Sequence, residues 1–60
     1  MTAINTFMQK KAEIDELLER IQKASENHFD TNPDAINWGD AGSLDHAAGQ
    51  LEEIARFLNV

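Results

Sequence analysis

Residues 30–34, Asp-Thr-Asn-Pro-Asp, place side-chain oxygens at the spacing of a calcium-binding loop. An EF-hand loop takes oxygen ligands from positions 1, 3 and 5, has glycine at position 6 and ends on a bidentate glutamate at position 12. Here position 6 is Ala35 and position 12 is Ala41, so the tight turn and the final carboxylate are both missing. A polar turn, with Asn32 as a cap before Pro33, fits these residues better. We therefore expect no calcium site.

Two other groups of polar residues have suitable types for chemistry but unsuitable spacing. His28 and His46 each lie near an aspartate in sequence, yet their spacing matches no zinc signature. Ser43, Asp45 and His46 have the residue types of a hydrolytic triad, but they fall within four residues at a predicted helix start, where serine serves as a cap. We predict no metal, no cofactor and no enzymatic activity.

The chain is acidic, with a formal net charge of −6, and residues 24–55 contain no lysine or arginine. Seven carboxylates lie in that segment: Glu26, Asp30, Asp34, Asp40, Asp45, Glu52 and Glu53. Such a surface repels phosphate backbones, so we expect no direct binding to nucleic acid. The same carboxylates leave one alternative, an inhibitor that mimics nucleic acid and occupies the basic cleft of a DNA- or RNA-binding protein.

Sixty residues without cysteine allow one small domain, spanning residues 1–60. A core of this size is marginal without a disulfide or a metal, and association with a second copy is the simplest remedy. No apolar run approaches the roughly 20 residues of a membrane span, and no leader pattern opens the chain. We therefore expect a cytoplasmic protein with no membrane partner.

Apolar residues at helical spacing predict two helices. The first covers residues 3–29 and begins after Thr2 or Thr6, of which Thr2 is favoured because Ile4 fits the apolar stripe. Its stripe contains Ile4, Phe7, Met8, Ile14, Leu17, Leu18, Ile21, Ala24 and Phe29. The second helix covers residues 43–58 and is capped by Ser43. Its stripe contains Leu44, Ala47, Ala48, Leu51, Ile54, Ala55 and Leu58.

Residues 30–42 are predicted to form a long loop between these helices, because Pro33 pushes the residue before it out of the helical region. A loop of this length needs apolar contacts to hold it, and Ile36 and Trp38 are the candidates. Trp38 has two interpretations. The favoured one is a packing anchor, and the other is a hot spot for a protein partner.

The predicted fold class is all-α: an antiparallel two-helix hairpin with a long Trp-pinned loop, which dimerises into a four-helix bundle. At about 1.5 Å per residue the first helix would be roughly 40 Å long and the second roughly 22 Å, so part of the first stripe would stay uncovered. We expect the excess to form the homodimer interface, with Ile4, Met8 and Phe57 on the intersubunit surface. The expected core contains Phe7, Ile14, Leu18, Ile21, Leu51, Ile54 and Leu58.

The run Asn-Trp-Gly-Asp-Ala-Gly-Ser-Leu at residues 37–44, preceded by Lys-Ala-Glu-Ile-Asp at residues 11–15, resembles a group of short uncharacterised bacterial proteins. The resemblance implies a helical hairpin and a bacterial origin, and it implies no activity. We interpret the chain as a small, non-enzymatic, acidic protein-interaction module. Its candidate partner-binding residues are Trp38, Ile36, Phe57, Asp34 and Asp40, and its expected partners are a second copy and an unidentified protein.

Overall fold

The computed structural model describes residues 2–60 and is mainly helical. The long helices are α1, Ala3–Glu26, and α2, Trp38–Leu58. Two short 3-10 turns, His28–Asp30 and Pro33–Ala35, lie between them in sequence. Residues 2–60 include no strand, so the predicted all-α class with two helices is confirmed. The chain divides into two units between Asp30 and Thr31, and each is described by itself below.

The start of α1 lies where the apolar stripe predicts it. Thr2 is the N-cap, and its Oγ1 accepts a hydrogen bond from the Asn5 backbone N–H at 3.1 Å. The Thr6 backbone N–H donates to the Thr2 carbonyl at 3.1 Å, so Thr6 is already inside the helix. Three exposed ion pairs lie along α1: Lys10–Glu13, Lys11–Asp15 and Glu19–Lys23.

The end of α1 lies earlier than predicted, at Glu26 and not at residue 29. Three consecutive residues, His28, Phe29 and Asp30, have φ of 55°, 52° and 59°, which is left-handed backbone that cannot continue a right-handed helix. Asn27 stabilises this reversal, because its Nδ2 donates to Asp30 Oδ1 at 2.9 Å and its carbonyl accepts from the Asp30 N–H at 3.0 Å. Because the backbone reverses here, Phe29 lies beside the last turns of α1.

The second unit begins with the turn that the sequence predicts at Pro33. Asn32 is its N-cap, and Asn32 Oδ1 accepts from the Asp34 backbone N–H at 3.0 Å. The Asn32 carbonyl accepts from the Ala35 N–H at 2.9 Å. The turn ends at Ala35, and Ile36 has extended backbone.

The predicted start of α2 at Ser43 is wrong, because α2 begins at Trp38, and the predicted loop over residues 30–42 therefore ends at Asn37. Asn37 is the N-cap and forms a reciprocal capping box with Asp40, which satisfies two backbone donors at once. Gly39 and Gly42 are helical residues within α2. Ser43 caps nothing, since its Oγ donates to the Gly39 carbonyl at 3.1 Å.

The longer α2 changes the comparison of helix lengths. Its 21 residues make it roughly 32 Å long, against roughly 36 Å for the 24 residues of α1. The predicted mismatch of the two helices therefore nearly disappears. The helix ends at Leu58, where Asn59 has left-handed backbone and the Val60 N–H donates to the Ala55 carbonyl at 3.0 Å.

No side chain in residues 2–60 is buried, so the predicted core residues are all at least partly exposed. An amphipathic helix cannot bury its own apolar stripe, and each unit is built around one long helix. Trp38 is 92% exposed, so no residue of its own unit covers its ring. In the part of the chain that the structure describes, no helix is both long and apolar enough to span a bilayer.

Candidate partner-binding site

A shallow groove on the second unit contains two of the predicted binding residues. Ile36, Asn37, Trp38 and Ala41 line it, and we call these four residues the Trp38 groove. Ile36 is 56% exposed, and Trp38 is almost fully exposed. The groove therefore presents an aliphatic and an aromatic side chain to solvent, side by side at the start of α2.

The backbone beneath the groove is held by the capping box. The Asp40 N–H donates to Asn37 Oδ1 at 2.9 Å, and the Asn37 N–H donates to Asp40 Oδ2 at 3.1 Å. A Cβ built on Gly39 would lie 3.1 Å from Asn37 Oδ1, which is closer than ordinary van der Waals contact. Glycine thus lets the Asn37 side chain reach its bond to Asp40, and the box in turn orients the first turn that carries Trp38.

The two aspartates of the predicted site have different environments. The Asp40 carboxylate is used by the capping box and is only half-exposed, so its role is to position the Trp38 groove. Asp34 is exposed and, through its backbone N–H, bonds to Asn32. Asp34 lies two residues before Ile36 in the chain, in the turn that precedes α2, and adds a negative charge there.

Phe57 is not part of the Trp38 groove. It lies 19 positions after Trp38 on the same helix, which separates the two residues by roughly 28 Å along the axis. Phe57 is 86% exposed and falls outside the apolar stripe of α2. The structure therefore leaves two separate exposed aromatic side chains on α2, one near each end.

A second apolar surface lies on the first unit, and the sequence does not indicate it as a site. Leu17, Arg20, Ile21, Ala24 and Phe29 line a shallow pocket at the C-terminal end of α1. Periodicity assigned Phe29 to the helix itself, whereas the left-handed turn is what places its ring at this pocket. No sequence pattern signals three successive left-handed residues that are not glycine.

Two of the polar side chains with suitable types for chemistry form local hydrogen bonds. The Ser43 hydroxyl is bonded to the Gly39 carbonyl, and the Asp30 carboxylate accepts from Asn27. Among residues 2–60, no three side chains of histidine, aspartate or glutamate are grouped to hold a metal ion. Comparison of the chain with protein-family models, curated proteins and solved structures gives no match.

Proposed function

We propose that this protein is a small, non-enzymatic, acidic protein-interaction module that binds a partner through the Trp38 groove. One observation carries the proposal: a tryptophan on an ordered helix start exposes 92% of its surface. Tryptophan is enriched among the residues that dominate binding energy at protein interfaces. A large apolar ring held in water is costly, and a partner that covers it recovers that free energy.

The ordered backbone under Trp38 supports this assignment. Because Asn37 and Asp40 bond to each other in both directions, the first turn of α2 keeps its geometry without help from the ring. A binding partner then loses less conformational entropy in ordering the groove, which favours affinity. Nearby aspartates, including Asp34 and Asp45, favour a partner whose rim is basic.

Self-association is the second part of the proposal. We propose that α1 and α2 pair as an antiparallel hairpin and that two copies form a four-helix bundle in the cytoplasm. The support is that both helices keep exposed apolar stripes and that the helices themselves are of nearly equal length, as the arms of such a hairpin require. Burial of both stripes in one bundle would give the chain the core that its separate units do not have.

The alternative function is inhibition of a basic DNA- or RNA-binding protein by mimicry of nucleic acid. The observation that favours it is the row of carboxylates over residues 24–55, of which only Glu52 forms an ion pair, with Arg56 at 2.8 Å, among those that the structure describes. Competition with DNA for a basic protein, repeated at raised salt, distinguishes the two functions. Salt-sensitive competition that survives loss of Trp38 supports mimicry.

Affinity capture with Trp38→Ala and Val60→Ala tests the Trp38 groove. Val60 is a matched control because it is also 92% exposed and lies outside the groove. We expect Trp38→Ala to weaken a captured partner by at least about 30-fold, as is typical for a hot spot of about 2 kcal/mol, while Val60→Ala leaves binding unchanged. Equal binding by both variants would contradict the proposal. Far-UV circular dichroism should be the same for both variants, since neither side chain is buried.

A further inference from the structure

The apolar stripe of α1 has a period of seven residues. Phe7, Ile14 and Ile21 recur at that interval, and each is at least 40% exposed. A second series recurs at the same interval and alternates with the first along one face of α1, which we call the seam. It contains Ile4, Lys11, Leu18 and Ser25. Two alternating series of this kind are the pattern of a left-handed helix pair, in which the seam keeps facing the neighbouring helix.

Charge along α1 is unevenly distributed. Residues 2–14 carry two lysines against one glutamate, a net charge of +1, whereas residues 15–26 carry four carboxylates against two cations, a net charge of −2. A parallel pair of α1 helices would place the halves of like net charge together. An antiparallel pair places the net positive half of each helix beside the net negative half of the other, and it also opposes the two helix dipoles.

Lys11 interrupts the apolar seam, at a position where a polar residue can select the register of a helix pair. It lies between Ile4 and Leu18 in the second series, and its Nζ is 2.7 Å from Asp15 Oδ2 on the same helix. A single lysine at such a position lowers stability but excludes registers in which its ammonium group meets only apolar side chains. A register that brings more carboxylates to Lys11 is therefore favoured.

We propose that a second copy of this chain covers the stripe, with the two α1 helices antiparallel and the two-fold axis beside Ile14. This inference rests on the self-association proposed above and specifies which surface forms the seam. Phe7 of one copy then opposes Ile21 of the other, and Ile14 meets its own equivalent. Lys11 of each copy lies between Asp15 and Glu19 of the other. The contact uses the same surface on both copies, as closed two-fold symmetry requires.

Spin-label distances test the orientation, because the chain has no cysteine and single-cysteine variants label at one place. Asn5 and Lys23 are suitable positions, since both lie on the side of α1 away from the stripe and each is nine residues from Ile14. The antiparallel seam predicts roughly 30–35 Å between two labels at Asn5→Cys and roughly 20 Å for a mixture of Asn5→Cys with Lys23→Cys. A parallel seam reverses these two values.

Sedimentation of the same samples at tens of micromolar separates this inference from the proposal beneath it. A monomer overturns both self-association and the seam. A dimer of twice 6.7 kDa with the reversed distances, or with neither pattern, keeps self-association and overturns the antiparallel seam. A dimer with the long Asn5 distance and the short mixed distance supports both.

Lys11→Leu tests the role of the lysine in register. Leucine extends the apolar series, so we expect the dimer dissociation constant to fall by about tenfold or more and the single label distance to broaden into several registers. Lys23→Leu is the control, because Lys23 lies outside the stripe, and its dissociation constant should stay within about twofold of the unsubstituted chain. An unchanged constant and a single distance in Lys11→Leu would refute the assignment.

Discussion

Asn37 and Asp40 exchange two hydrogen bonds across the first turn of α2, each side chain accepting from the backbone N–H of the other. With this pair as its cap, α2 begins at Trp38, five residues before the start that the sequence predicts at Ser43. The pair also turns Trp38 from a loop residue into the first residue of a helix. The location of the proposed binding groove therefore depends on one local polar contact.

Asp40→Ala should shorten α2 from its N-terminus. The substitution leaves the Asn37 N–H without its partner and removes a carboxylate that interacts favourably with the helix dipole, at a cost of about 1 kcal/mol. We expect lower helicity by far-UV circular dichroism and faster amide exchange over residues 38–42. Asp45→Ala is the matched control, because no hydrogen bond or ion pair is found for the Asp45 carboxylate in the described part of the chain. Equal losses in the two variants would argue against the box.

The three glycines of α2 should respond differently to alanine. Nothing lies within 4 Å of a Cβ built on Gly42 or Gly49, so Gly42→Ala and Gly49→Ala should each stabilise the helix by about 1 kcal/mol. Gly39→Ala should gain less, since its methyl group crowds Asn37 Oδ1 at 3.1 Å. Thermal melts followed at 222 nm measure the order. A larger gain for Gly39→Ala than for Gly42→Ala would show that the box does not need glycine.

His28→Gly should stabilise the turn that ends α1. His28 has φ of 55°, a conformation that costs a residue with a Cβ about 1 kcal/mol or more and costs glycine almost nothing. We expect slower amide exchange over residues 20–30, measured on the full chain. Gln22→Gly, in the right-handed interior of α1, should instead destabilise by about 1 kcal/mol. Destabilisation by both substitutions would contradict a left-handed backbone at His28.

Trp38 should report its exposure directly through fluorescence. An indole that is 92% exposed should emit near the wavelength of free tryptophan in water and be quenched by acrylamide almost as efficiently. Unfolding in urea should then change the emission maximum very little, while partner binding should shift it to shorter wavelength. A blue-shifted emission in the free chain, lost on unfolding, would show that Trp38 is covered without a partner.

Calcium should leave that fluorescence unchanged. Two of the candidate ligand oxygens in residues 30–34 form local hydrogen bonds, since Asn32 Oδ1 accepts from the Asp34 N–H and Asp30 Oδ1 accepts from Asn27. With Ala35 and Ala41 at the positions of the turn glycine and the bidentate ligand, no coordination shell remains. Titration to millimolar calcium measures this, and a saturable change in Trp38 emission would contradict it.

The sequence by itself determined the features that depend on neighbouring residues: two amphipathic helices, the Thr2 cap of α1 and the Asn32 cap before Pro33. Capping and periodicity act within one or two turns, so the residue order carries them. The start of α2 was not determined in this way, because Asn37 and Ser43 are both good caps and the glycines at 39 and 42 are typical of a loop. Only the three-dimensional structure decided between them, through the reciprocal bond to Asp40. It likewise decided the end of α1, where Asn27 holds Phe29 in a left-handed turn that no propensity favours, because that bond forms only once the backbone has reversed.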